Sequence, residues 1–244
     1  MNEGRTLKHS MRGRRFVVTA DQQSSRHRAD AVPGMLGVLS DLPGAPTADG
    51  GLAFDRAAGD EIQGLVTSGA AVVEVVQALL RTGGWRIGIG LGPVEEPLAP
   101  SVREARGPAF IAARRAVERS HRCPQPVAVD ANAGVDTAVD APGSSALRGA
   151  ETALWLWAAV LARRTDEGWE VAELMEQAST QKDVAATLGV SASAVSQRLR
   201  TAGWVESQRG AELVATLLEA AADDCATLGG AAPAGGATDD QETA

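Results

Sequence analysis

A chain of 244 residues with 44% hydrophobic content can fill two small cores, but its aromatic fraction of 3%, with no tyrosine, leaves packing to Ala, Val and Leu. A net charge of −8 excludes a protein that coats nucleic acid, and no run of about eighteen apolar residues is present to span a membrane. The two cysteines, Cys123 and Cys225, lie far apart and form neither a disulfide framework nor a metal-spaced cluster, so a reducing cytoplasm is expected.

Residues 1–13 read as a disordered basic arm without the apolar segment of an export signal, and Met11 is an alternative start. Arg15 to Ala20 reads as a short buried strand, with Asp21 at its C-terminal end and Ser25 and Arg26 just beyond. A helix is expected next, then a hairpin over 52–66 in which two apolar stretches flank a small-residue turn and the pair Asp60-Glu61. Adjacent carboxylates at a hairpin tip suit a hard divalent cation such as Mg²⁺, which is held by one or two carboxylates plus phosphate oxygens; solvated turn residues are the alternative. Asp21 stands where such a site needs a further ligand, at a strand's carboxyl end.

A helix follows at 69–81, then a strand from Trp85 to Leu91. Gly88, Gly90 and Gly92 alternate with Ile89 and Leu91, a strand pattern whose glycine face lets a backbone or a ligand ring approach closely. Arg103, Arg106, Arg114 and Arg115 lie in and around a helix at 107–119, either as phosphate contacts or as a solvated face. His121 and Cys123 are too few ligands for zinc. Residues 132–146 form a linker, with Val135–Val139 as a candidate last strand.

The rest reads as helical. Leu147, Leu154, Trp157 and Leu161 recur at helical spacing over Ala146 to Arg164, and further helices are expected at 167–177 and 210–226. The tail 227–244 is rich in Gly, Ala and Asp and is expected to be disordered. Between these helices, Thr180 to Ala202 has the pattern of a helix-turn-helix. Ala185 is small where two helices meet, Gly189 permits a left-handed turn, and Val184, Leu188, Val190, Val195 and Leu199 supply a shared seam. Ser191 is placed to cap the second helix, and the residues expected to meet double-stranded DNA are Thr180, Gln181, Lys182, Ser191, Ser193, Ser196, Gln197 and Arg200. Over 179–209, Lys182, Arg198, Arg200 and Arg209 outweigh Asp183 and Glu206, giving a local balance of +2 in an acidic chain. That suits a site-specific binder, and a homodimer paired through Leu154, Trp157, Leu161 and the 210–226 helix is expected.

The segment Arg56 to Ile62 resembles the signature hairpin of the GGDEF diguanylate cyclases, with Ala58 in place of the first Gly. Asp21-Gln-Gln-Ser-Ser-Arg26 together with Gly59-Asp-Glu-Ile-Gln-Gly64 resembles the paired motifs of the SatD-like family, over roughly residues 14–131. The resemblance implies an α/β palm-like, nucleotide-cyclase-like domain at 14–131, joined to an all-α helix-turn-helix domain at 147–226 of the bacterial transcription-regulator type. It implies Asp21, Asp60 and Glu61 as metal ligands and Ser25, Arg26, Arg114 and Arg115 as contacts to a nucleotide. In class III cyclases, the corresponding helix carries an Asn four residues past a Gly and an Arg eight past it. Counted from Gly107, the Arg position holds Arg115 but the Asn position holds Ile111, which donates no hydrogen bond. The expected function is therefore a cytoplasmic DNA-binding regulator with an inactive cyclase-like sensor. Two alternatives stay open: a metal-dependent nucleotidyl cyclase using Asp21, Asp60, Glu61 and Arg115, and a palm domain serving only as a dimerisation scaffold.

Overall fold

The computed structural model describes residues 14–45, 50–134, 143–178 and 180–230. The elements run β1 (Phe16–Gln22), α1 (Val32–Ser40), β2 (Leu52–Ala58), β3 (Glu61–Val66), α2 (Gly69–Thr82), β4 (Trp85–Leu91), α3 (Pro108–Ser120), β5 (Val127–Ala131), α4 (Gly143–Leu161), α5 (Asp166–Gln177), α6 (Gln181–Leu188), α7 (Ala192–Thr201) and α8 (Trp204–Gly230). One mixed sheet has the order β2-β3-β1-β4-β5. Its ladders are antiparallel except β4 with β5.

Strand β1 lies at the centre and is covered on both faces, which is why Phe16 to Ala20 reads as a nearly continuous apolar run. Phe16, Val18 and Ala20 join the larger core with Val72, Val76 and Leu79 of α2, whereas Val17 packs with Leu65, Ala109 and Ala113 on the opposite face. Helices α2 and α3 therefore lie on opposite sides of the sheet. Ser68 starts α2 by accepting a hydrogen bond from the Ala71 N–H at 3.1 Å.

The glycine face of β4 receives α3. A Cβ on Gly90 would overlap the Ala109 carbonyl oxygen and the Ala113 nitrogen, and one on Gly88 would overlap the backbone of Ala113 and Val117. What approaches these glycines is helix backbone. Gly90→Ala is expected to push α3 off the sheet and cost about 1–3 kcal/mol as overpacking, read as a lower urea midpoint with an unchanged slope.

The larger core does not stop at residue 131. Ala150, Leu154, Trp157 and Leu161 of α4 and Val214, Leu218 and Ala221 of α8 belong to the same buried cluster as the sheet and α2. The Trp157 indole donates to the Ser207 carbonyl at 3.0 Å, fixing α4 against α8. The Gly69 N–H donates to Glu219 at 3.1 Å, fixing α2 against α8. One core thus runs across the boundary expected at 132–146. Helices α5, α6 and α7 build a smaller core of their own on Val171, Val184, Ala185, Val195 and Leu199, while Trp169 of α5 belongs to the larger one.

Three expectations are corrected by this packing. Leu154, Trp157 and Leu161 are at most 2% exposed inside the single chain, so they are unavailable as a dimer interface. The 210–226 helix is longer, spanning Trp204–Gly230, with Val214 and Leu218 buried in the same chain. Residues 227–230 are therefore helical and not a tail. The candidate strand Val135–Val139, the arm 1–13 and the tail from 231 lie outside the described residues.

Side chains close the free edge of β5. The Glu151 carboxylate accepts from the Val129 N–H at 2.9 Å, Arg119 donates to the Val129 carbonyl at 2.8 Å, and the Trp155 indole donates to the Val127 carbonyl at 2.8 Å. Arg119 also pairs with Glu151 at 2.5 Å, which keeps that buried carboxylate compensated. An edge satisfied this way has no free ladder left to template another strand.

Candidate functional site

Two places carry the polar chemistry the sequence singled out. The first is the hairpin-facing side of α3 and the strand ends beneath it. Cross-strand register sets Asp21 opposite both Glu61 of β3 and Arg86 of β4, while the next same-face row is Thr19 with Gln63 and Gly88. Gly59 turns the hairpin with φ +54°, and the Asp60 carbonyl accepts from the Gln22 N–H at 3.1 Å, which draws the hairpin tip to the end of β1. Arg56 steadies the tip by pairing with Asp30 at 2.5 Å and donating to the Gly59 carbonyl. The buried Thr19 hydroxyl accepts from the Gln63 amide at 2.8 Å.

Asp21, Asp60 and Glu61 thus share one end of the sheet. Burial raises the Asp21 carboxyl above its ordinary value, with the Asp60 charge adding to it and Arg86 and Arg114 opposing. Burial likewise raises Glu61, opposed by Arg114 and reinforced by Asp21, Asp60 and Glu118. Arg114 supplies the nearest cation, at 2.6 Å from Glu61 and 2.8 Å from Glu118, and Arg86 stands 4.0 Å from Asp21. Among the described residues no group of three or more His, Cys, Asp or Glu side chains is placed to hold a metal ion. As arranged, the cluster is balanced by guanidinium groups.

Other expected ligands are distributed differently. Arg115 turns away from Glu61 and pairs with Asp130 at 2.7 Å while donating to the Ala131 carbonyl at 3.1 Å. Ser25 and Arg26 enter a 3-10 turn after Ser24, which takes a left-handed φ of 59°, and among the described residues Ser25 makes no bond to the carboxylates. The sequence reading did not connect Arg86 with the acidic pair. The signal was the strand period itself, which sets Arg86 and Asp21 side by side once β1 and β4 are paired antiparallel.

The second place is the α5–α7 unit. Thr180 caps α6, accepting from the Asp183 N–H at 3.3 Å and donating to the Asp183 carboxylate at 2.8 Å. Gly189 ends α6 with φ +64°, and the Val190 N–H returns to the Ala185 carbonyl at 3.0 Å. Ser191 caps α7 through the Ala194 N–H at 3.1 Å. Val195 and Leu199 are buried, while Gln181, Lys182, Ser193, Gln197 and Arg200 are exposed and Ser196 is half-buried. The turn at Gly189 and the Ser191 cap fall where the sequence put them, and the Thr180 cap adds to them. Arg163, Gln197 and Arg198 also line a groove of about 360 Å³ between the start of α5 and α7.

The unit is docked to the rest of the chain through Trp169 of α5. Arg81 of α2 and Arg164 each set a guanidinium over its ring, at 5.1 and 4.7 Å from the centroid. Arg81 pairs with Glu173 at 3.0 Å, and Arg164 donates to the Ala202 carbonyl at 2.8 Å.

No family model and no curated protein matches the chain. Among solved structures, the crystal structure of a regulator of polyketide synthase expression from Bifidobacterium adolescentis is similar over 86% of this chain and 80% of that one, at 13% identity and a TM-score of 0.27. At that TM-score the likeness bears on neither fold nor function. The SatD-like resemblance rests on the two motifs alone. No helix among the described residues is long and apolar enough to cross a membrane.

Proposed function

We propose that the chain is a DNA-binding transcriptional regulator whose sheet half is a non-catalytic, cyclase-like sensor. The observation that carries this reading is the α6–α7 pair. It is capped at both starts, turned at Gly189, and seated on its own small core with Ser193, Gln197 and Arg200 facing solvent. A helix presented this way fits the major groove, where amide and guanidinium groups meet base edges and phosphates.

The palm-like reading of the sheet half is supported by the strand order β2-β3-β1-β4, with α1 and α2 inserted as in a βαββαβ unit and the carboxylates at the hairpin tip. The non-catalytic reading is supported by Arg115, which is engaged by Asp130, and by Ile111, which offers no donor. In this reading a nucleotide is the sensed ligand. Mg²⁺ would join Asp21, Asp60 and Glu61 only after Arg114 left Glu61. The proposal includes a homodimer reading paired half-sites, through a surface other than the buried face of α4.

Arg200→Ala is expected to weaken binding to a selected DNA site and to lower the slope of log affinity against log salt by about one, the mark of a lost phosphate contact. Selection of binding sites from a random duplex pool, followed by titration at several salt concentrations, makes the measurement. Failure of the wild-type chain to enrich any duplex at low salt would remove the DNA-binding reading.

A further inference from the structure

The hairpin, the loop after β4 and α3 border an open cleft of about 490 Å³, within the size range of small-molecule sites. Its walls differ in chemistry. Arg103 and Arg106 stand on the loop before α3, Phe110 and Ile111 on α3 itself, and Ala57 and Gln63 on the hairpin. Glu95 also lines it, and its backbone N–H donates to the Arg106 carbonyl at 2.9 Å, which holds the two segments of the loop together.

Three observations point to an occupant. In the sheet half, Arg15, Arg56, Arg81, Arg86, Arg114, Arg115 and Arg119 each have a carboxylate partner. Arg103 and Arg106 have none among the described residues, as Arg28 and Arg122 have none, but these two stand together on one cleft wall of a chain that is acidic as a whole. The same cleft is lined by Ile111, a large apolar side chain left 55% exposed, and by the half-buried Phe110. The carboxylate of Glu95, unpaired among the described residues, and the amide of Gln63 add hydrogen-bonding groups to the same walls.

We propose that this cleft is the seat of a nucleoside phosphate, with the phosphates on Arg103 and Arg106 and the flat base against Phe110 and Ile111. Guanidinium forks match phosphate oxygens, an exposed apolar wall gains by covering a ring face, and a carboxylate accepts from the N–H edge of a purine. The proposal deepens the sensor reading and rests on it. It places the ligand along α3, with its phosphates apart from the strand-end carboxylates, so binding there needs no metal.

The test is titration calorimetry of the full chain with GTP and with ATP in EDTA, with inorganic triphosphate and guanosine as separate probes. The wild type is expected to bind at least one of the two nucleotides. The charge reversal R103E/R106E, on two exposed side chains, is expected to lower that affinity by at least about tenfold with an unchanged melting curve, and R103Q/R106Q to lower it less. I111A is expected to weaken the nucleotide but not triphosphate. DNA binding by R103E/R106E should match the wild type. The cleft assignment is overturned if neither nucleotide binds, if binding requires Mg²⁺ and is lost in D60N but kept in R103E/R106E, if triphosphate alone binds as tightly as the nucleotide, or if R103E/R106E loses DNA instead. Absence of DNA binding in the wild type would remove the regulator reading while leaving the calorimetry to stand or fall by itself.

Discussion

Replacing Trp157 with Ala is expected to destabilise the sheet and the C-terminal helices together, by about 3–5 kcal/mol. The side chain is 2% exposed and belongs to the cluster that also holds Val72, Leu79, Trp85 and Ile87 of the sheet half. Its indole N–H is bonded to Ser207, and Gly210 lies against its ring, so α8 is seated directly on the residue being removed. Truncation removes the buried ring and leaves a cavity that α4 and α8 can only partly close. For a chain of this size each kcal/mol moves the midpoint by about 2–4 °C, so a fall of roughly 10 °C is expected. Far-ultraviolet dichroism follows the helices and fluorescence includes Trp85 in the sheet, and the two curves should stay coincident in wild type and variant. If the dichroism and fluorescence curves separated, the two halves would not share a cooperative core.

This shared core is also where the sequence was least informative. The apolar run of β1, the period two of β4, the small-residue turn at Gly59 and the cap Ser191 are local signals, and each marked an element that is present. The α6–α7 pair and its turn were legible for the same reason: Ala185, Gly189 and Val195 act within a stretch of 23 residues, Thr180 to Ala202. The partner of the α4 stripe was not legible, because an apolar stripe states that something covers it and not what. Leu154, Trp157 and Leu161 suit a second subunit and their own chain equally well, and the fold chose α8 and the sheet half. The α3 arginines show a similar limit. Arg114 and Arg115 are neighbours in sequence, yet the helical turn of about 100° sends one to Glu61 and the other to Asp130. The cleft was beyond a linear reading, since its residues come from the hairpin, the loop after β4 and the first turn of α3.

Arg114→Met is expected to lower stability at neutral pH and to leave it nearly unchanged in acid. Asp21 and Glu61 both have carboxyl groups raised by burial, so the folded state holds their protons more tightly than the unfolded chain does. Their contribution therefore favours folding below the ordinary carboxylate range near pH 4, and is lost as pH rises from there through the raised values. Arg114 limits that loss, because it is the largest opposing influence on Glu61. Removing its charge raises Glu61 further, which widens the window upward and deepens the loss at pH 7. Thermal melts from pH 3 to pH 8 should thus diverge with rising pH and converge near the acid end. Glu118→Gln, which also gives up a contact to Arg114 but keeps Glu61 paired, should change little. Once the guanidinium is gone, Asp21, Asp60 and Glu61 repel one another without their nearest cation, so Mg²⁺ or Mn²⁺ should stabilise Arg114→Met more than the wild type by mass action. Asp60→Asn in the same background should shrink that gain by removing one of the repelling charges. Parallel melting curves for wild type and Arg114→Met at every pH, with no added response to either cation, would mean that Asp21, Asp60 and Glu61 do not act as one electrostatic cluster.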